Sequence, residues 1–245
     1  MKTDAYRRRF YREWVGAAGL YRLTAAVKET DVQVLTDKPV DKKFIEDKIQ
    51  KYRGDIEGYI NKDRRFLTAL KPIAVERHAP PVVKKMARAA QAANVGPMAA
   101  VAGAIAEYIG GELLKSGCRE VIVENGGDIF LKTLTMRTVA VYTGTSRVWK
   151  GLCLKIHPRQ TPLGICTSSG TVGHSLSFGL ADSTTILSHN TALADAVATA
   201  CGNRVKSKDD LTSALDFARS IPGVTGVVII IKNHLISWGG VVFAR

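Results

Sequence analysis

Cysteine is scarce in this 245-residue chain, and the four present, Cys118, Cys153, Cys166 and Cys201, form no C-x-x-C pair. That excludes zinc-ribbon and thioredoxin-type spacing and predicts a reduced, cytoplasmic protein. Long apolar runs are missing as well. The most apolar run, Val227 to Ile231, is five residues, against the ~18 that a membrane span requires. Behind the basic N-terminus, Trp14 to Leu20 is too short for a secretory core, so no membrane partner and no export are expected. His78, His157, His189 and His234 lack the H-x-x-x-H type of ligand spacing. Acidic side chains are in deficit, 22 against 35 Lys and Arg, which leaves a net charge of +13 and a pI near 9.7.

What is present describes a globular protein. Its composition, 46% hydrophobic and 23% charged, suits one large domain over 1–245 or two intimate lobes, with 1–94 more basic and peripheral and 95–245 carrying the site. The excess charge implies an anionic partner: nucleic acid, an acidic surface or a phosphate-bearing small molecule. Tyr6, Phe10, Tyr11 and Trp14 are interleaved with arginines as stacking groups would be. The commoner meaning of that pattern is an amphipathic edge with snorkelling arginines, and nucleic acid is the less favoured partner.

Alternation over 20–36 predicts a hairpin, and apolar residues at helical spacing from Val40 to Ile60 predict a helix whose charged face is solvated. Further helices are expected over Val82 to Ala93, from Pro97 to Gly117, over Thr191 to Cys201 and over Asp209 to Arg219. Strands are expected at Glu120 to Glu124, in IFLKT, VAVYTG, GLCLKIHP and LGICTSSG, and in a C-terminal hairpin turning at Asn233-His234. Hairpins dominate, so the fold class is mixed α/β, of the α+β kind, and not a parallel doubly wound sheet.

Three segments can carry chemistry. In the helix TALADAVATACG, Asp195 and Thr199 are four residues apart on one face, an oxygen pair that suits Mg²⁺. The same spacing also fits a threonine bonded back to its own helix beside a salt-bridged aspartate. In Cys166-Thr167-Ser168-Ser169-Gly170, a strand runs into a hydroxyl-rich loop that can cradle phosphate. Cys166 and His174 further allow a nucleophile and its base, though a strand cysteine is more often a buried hydrophobe. In Asn125-Gly126-Gly127-Asp128, two glycines permit positive φ and close approach of a ligand, or simply make a tight turn. The small-residue helix from Pro97 implies either close packing of another element or a ligand against its backbone.

The order Gly96-Pro97-Met98-Ala99, then NGGDI, then T-S-S-G, then A-D-A-V-A-T resembles the ApbE-like superfamily, whose best known members are FAD:protein FMN transferases. The resemblance covers roughly residues 95–202. It implies an ApbE-like fold of hairpin-rich mixed sheets flanked by helices. It implies Mg²⁺ held by Asp195, Thr199 and the carbonyl of Ala99, and a flavin nucleotide (FAD or FMN) or other phosphate-bearing ligand near Asn125, Gly126, Gly127, Asp128, Thr167, Ser168, Ser169 and Gly170. The implied chemistry is FMN or nucleotidyl transfer to a protein threonine, or hydrolysis of the FAD diphosphate. Ala100 and Val101 stand where that superfamily carries lysine and glycine, and GHSLSFGLADSTTI replaces its H-x-x-D-P segment. Those departures point to the alternative of a non-catalytic accessory or binding protein in sulfur (homocysteine) or cofactor metabolism, with a protein partner and self-association left open.

Overall fold

The computed structural model describes residues 18–143, 146, 148–170 and 179–244. The arginine-rich segment with its aromatic residues and His174 lie outside the described residues, as does any pairing of Cys166 with His174.

The first hairpin forms as expected, with β1 (Tyr21–Val27) and β2 (Thr30–Thr36) joined at Lys28, whose φ of 52° gives the tight turn its sense. Helix α1 (Lys42–Lys62) starts at Asp41, whose carboxylate accepts from Lys43 N, and it buries Ile45, Ile49, Tyr52, Ile56, Tyr59 and Ile60. A single further turn, α2 (Arg65–Thr68), follows and inserts Phe66 into the core. Helix α3 (Pro81–Ala93) begins with proline in its first turn and stops at Asn94, which takes the left-handed conformation. The next expected helix has its first turn, Pro97–Ala100, wound as 3₁₀ before α4 (Val101–Lys115) proper.

Strands β3 (Val121–Asn125) and β4 (Asp128–Lys132) leave only Gly126 and Gly127 between them, at φ of 66° and 102°. Then come β5 (Arg137–Ala140), β6 (Cys153–Ile156), β7 (Leu163–Ser168) and β8 (Ser183–Ser188), followed by α5 (Thr191–Gly202) and α6 (Leu211–Ser220). The chain continues through β9 (Val224–Ile231), β10 (His234–Gly239) and β11 (Phe243–Ala244). The last hairpin turns at Lys232-Asn233, one residue earlier than the sequence suggests, because Lys232 supplies the positive φ of 53°. Strand β8 and helix α2 have no counterpart in the sequence reading. The residues of β8 are all buried although four of the six are Ser or Thr, a composition that reads as loop.

Eight antiparallel strands form one sheet in the order β1-β2-β3-β4-β7-β8-β9-β10, and β11-β6-β5 form a second. Alternation along the large sheet sends Val32, Val34, Val121 and Val123 into a core shared with the helices. Leu35, Ile122, Leu131 and Ile165 go to the opposite face, against Leu154 and Ile156 of the small sheet. The result is a mixed α+β architecture of helices, large sheet and small sheet. All four cysteines are free thiols. No single described helix is long and apolar enough to cross a membrane. Helix α3 and the Pro97–Lys115 stretch reach that apolarity only as a pair bent by 104°, and their apolar residues are largely buried in the core.

Candidate functional site

The small-residue helix α4 meets α5 at near-backbone distance. A Cβ placed on Gly103 would stand 2.6 Å from Thr191 O and 2.8 Å from Asp195 Cβ, so that position has no room for a side chain. Close packing is therefore one answer to its composition, and Gly110, packed under the Phe130 ring, repeats it. The contact positions Asp195: its Oδ2 accepts from Gly103 N at 2.8 Å, and Ala102 N donates to the same carboxylate. Burial still pushes the acid up to about 7, against those two donors. At the N-terminus of α5, one turn before Asp195, Glu107 of α4 accepts from Thr191 N and Ala192 N, while Asn190 Oδ1 accepts from Leu193 N. The N-terminal donors of α5 are thus occupied internally, and Lys85 of α3 pairs with Glu107.

The two-glycine turn brings a second carboxylate to the same place. Asp128 Oδ1 accepts from Thr167 N at 3.3 Å. Burial raises its affinity for a proton well above the usual carboxylate range, and the neighbouring Asp195 charge raises it further. Asn125 Nδ2 donates to Ala102 O at 3.1 Å, tying the turn to α4, and Gly127 N donates to Glu124 Oε1 at 2.8 Å. Thr167 and Thr185 share a hydroxyl hydrogen bond of 2.9 Å across β7 and β8. Cys166 is fully buried beside them, and its thiol is pushed far up by burial and by Asp128 and Asp195. A thiol so held is kept in its protonated, less nucleophilic form.

These groups open on a cleft of about 920 Å³. Asn125, Gly126, Asp128, Thr167, Ser168, Ser169, Asp195 and Thr199 line it, whereas Ala99, Gly127 and Gly170 lie outside the lining. Ala102 is the small residue of α4 that faces the cleft, together with Met98, Val101 and Ile105, so the helix both packs closely and borders an open space. The alternative reading of the ADAVAT helix finds no counterpart: among the described residues Asp195 has no salt bridge, and the Thr199 hydroxyl has no hydrogen bond.

The facing wall comes from the basic first third. Arg53, Ile56, Glu57, Ile60 and Asn61 of α1, with Arg64, Leu67 and the β1–β2 turn, complete the lining. Part of the α1 face expected to be merely solvated therefore borders the cleft. Arg53 is bound there by Thr30, Glu29 and Glu57 at 2.6–2.9 Å. No local sequence signal announces these residues, because their neighbours in the cleft are tens of positions away in the chain.

The donor set suits a hard cation. Burial disfavours the charged form of both Asp128 and Asp195, no cationic side chain is paired to either among the described residues, and Thr167, Ser168 and Thr199 line the same cleft, so that a bound cation would relieve the cost of their ionisation. No cluster of three His, Cys, Asp or Glu side chains occurs among the described residues, so water and a ligand would complete such a shell.

Comparison with known proteins agrees with this architecture. The structure of the flavin transferase ApbE from Vibrio cholerae superposes with a TM-score of 0.58 at 14% identity, covering 89% of this chain and 96% of that one. The apo flavinyl transferase ApbE of Pseudomonas stutzeri gives 0.59 at 9% identity, covering 89% and 94%. These likenesses concern the fold. Sequence relatives include the UPF0280 protein of Methanocella arvoryzae, 42% identical over 213 residues, 87% of this chain and 86% of the relative. That of Methanocaldococcus jannaschii is 40% identical over 214 residues, 85% and 86% of the two chains. The profile described as AbpE bacteria matches residues 12–235, nearly the whole chain, and the protein belongs to that family.

Proposed function

We propose that the cleft binds Mg²⁺ together with a flavin nucleotide or another phosphate-bearing ligand, and that it serves flavin-nucleotide transfer or cleavage of the FAD diphosphate in the cytoplasm. The observation that carries this reading is the buried Asp128 and the half-buried Asp195, without a cationic partner among the described residues, lining one cleft with Thr167, Ser168 and Thr199. A volume of about 920 Å³ is at the upper end for small-molecule sites and suits a dinucleotide. The fold-level neighbours named flavin transferases support the choice of flavin.

Asp195, Thr199 and Asp128 would hold the ion, which when bound supplies charge neutralisation to a diphosphate. The chain's own contributions are distinct. Ala102 N and Gly103 N orient the Asp195 carboxylate, and Asn125 fastens the two-glycine turn to α4. Ile56, Ile60, Val101 and Ile105 offer an aliphatic slot for a planar ring. Thermal unfolding with FAD plus Mg²⁺ tests the reading: wild type is stabilised and Asp195→Ala is not. Equal shifts in the two proteins would discard the metal corner.

A second reading, a binding or accessory protein of the same fold, is favoured by one observation. Ala100 is buried and Val101 is aliphatic where the superfamily carries lysine and glycine, which leaves this stretch of α4 without a basic side chain beside the carboxylates. Purified protein that releases FMN and AMP from FAD, or flavinylates a threonine peptide, eliminates that reading.

A further inference from the structure

A second groove, of about 550 Å³, shares no lining residue with the cleft. One wall is the outer side of α3, where Lys84, Ala87, Arg88 and Gln91 recur at helical spacing. The other is the connection from α2 to α3, residues 73–77. Side chains alternate along it: Ile73 and Val75 pack against the core, whereas Ala74 and Glu76 are exposed, the two-residue period of an extended chain. Pro72 adds to this by confining Lys71 to extended backbone.

The stretch is extended but belongs to neither sheet. Among the described residues, the N–H groups of Ile73, Ala74 and Val75 and the carbonyls from Lys71 to Val75 make no hydrogen bond. Bonding resumes at Glu76, whose N–H donates to the Tyr59 hydroxyl at 3.3 Å. The main chain is thus an open strand edge with a groove beside it, and open edges take up further strands. Three cations border the groove, Arg77, Lys84 and Arg88, none with a carboxylate partner among the described residues. The acid of the lining, Glu76, is already neutralised by Lys62 at 2.6 Å.

We propose that this groove docks an acidic segment of a partner protein, laid along residues 73–75 as an added strand with its carboxylates towards Arg77, Lys84 and Arg88. The open main chain presents both donors and acceptors, which another main chain completes and which the phosphates of a nucleic acid, being acceptors only, do not. The lining also holds no aromatic ring on which a base would stack. A second copy of this chain, at +13, is repelled by the same cations. The chain's own first 17 residues have the wrong sign too, with Lys2, Arg7, Arg8, Arg9 and Arg12 against Asp4 and Glu13. The docking does not depend on what the cleft binds.

Fluorescence anisotropy of the full chain with a short labelled peptide of alternating glutamate and valine, in about 0.15 M salt, tests the proposal. Wild type is expected to bind the peptide. The double variant Arg77→Ala with Arg88→Ala should bind it about tenfold more weakly at an unchanged melting temperature, because both side chains are exposed. The same peptide with its main-chain nitrogens methylated should also bind about tenfold more weakly. Hydrogen exchange should slow at one or more of the Ile73, Ala74 and Val75 amides when the unmethylated peptide is added. No binding at millimolar peptide, equal affinity of wild type and double variant, equal affinity of the methylated peptide, or unchanged exchange at all three amides overturns the proposal. Displacement of the peptide by a single-stranded RNA oligonucleotide would make the groove a nucleic-acid surface and overturns it as well.

Discussion

Where α4 meets α5, the cleft wall is held by the main chain: Gly103 lies against Thr191 and Asp195, two backbone N–H groups hold the Asp195 carboxylate, and Glu107 binds the first donors of α5. Where α1 faces it, the wall is held at its rim by side-chain ion pairs, Arg53 with Glu29 and Glu57, and Lys28 with Glu57. Exposed pairs of the second kind contribute little each, whereas buried backbone contacts tolerate almost no displacement. The carboxylate corner is thus built in advance of any ligand, while the α1 rim can re-pair its charges around one.

The largest expected effect lies in the rigid wall. Gly103→Ala must push Thr191 or Asp195 aside, and the overpacking should cost about 3 kcal/mol, more than the ~1 kcal/mol that alanine gains in helix propensity. Urea denaturation measures it; a variant as stable as wild type would mean that the α4–α5 contact gives way easily and would dissolve the contrast. Glu107→Gln comes next. Thr191 N and Ala192 N both donate to Oε2, so the amide oxygen can still accept from both, but without the charge it does so more weakly, and the NH2 that replaces Oε1 leaves Lys85 unpaired, for a loss of about 2 kcal/mol. The same variant should weaken Mg²⁺-dependent stabilisation, because the helix that carries Asp195 is anchored there. A loss of stability without that weakening would confine Glu107 to a structural role.

Much of the fold was readable because periodicity is local. The Ile45, Ile49, Tyr52, Ile56 spacing announces α1, and Asn94 and Gly117 mark helix ends by their backbone freedom. Strand β8 was not readable, since Ser183, Thr184 and Thr185 look like loop until β7 and β9 enclose them. Asp195, Thr199, Asp128 and the 167–169 hydroxyls stood out because polar or glycine-rich residues interrupt apolar elements there. Arg53, Glu57 and Asn61 did not stand out, for they occupy the polar face of an amphipathic helix as solvated residues would. Only the docking of α1 beside α4 makes them part of a cleft, and that docking depends on contacts far apart in sequence.

The two walls are joined by a charge pair away from the cleft lining, and its titration offers a smaller but sharper test. Lys48 of α1 binds Glu112 of α4 at 2.7 Å, with Lys115 at 2.9 Å, beside the tilted rings of Tyr52 and Tyr108 whose centroids are 4.8 Å apart. The two lysine hydrogen bonds lower the Glu112 carboxyl from 4.5 to about 2 despite some burial. A depressed folded-state value means that the unfolded chain binds the proton more readily. The pair's stabilisation is therefore complete above the ordinary carboxylate range and is lost as pH falls from about 4.5 through about 2. Because the group is partly open to water, the contribution at neutral pH should be about 1 kcal/mol rather than the full value of the shift. Urea titrations of wild type and Glu112→Gln between pH 7 and pH 2 should show that difference shrinking to nothing at the acid end. A difference that persists at pH 2 would assign the coupling of α1 to α4 to the Tyr52–Tyr108 packing instead of the charge.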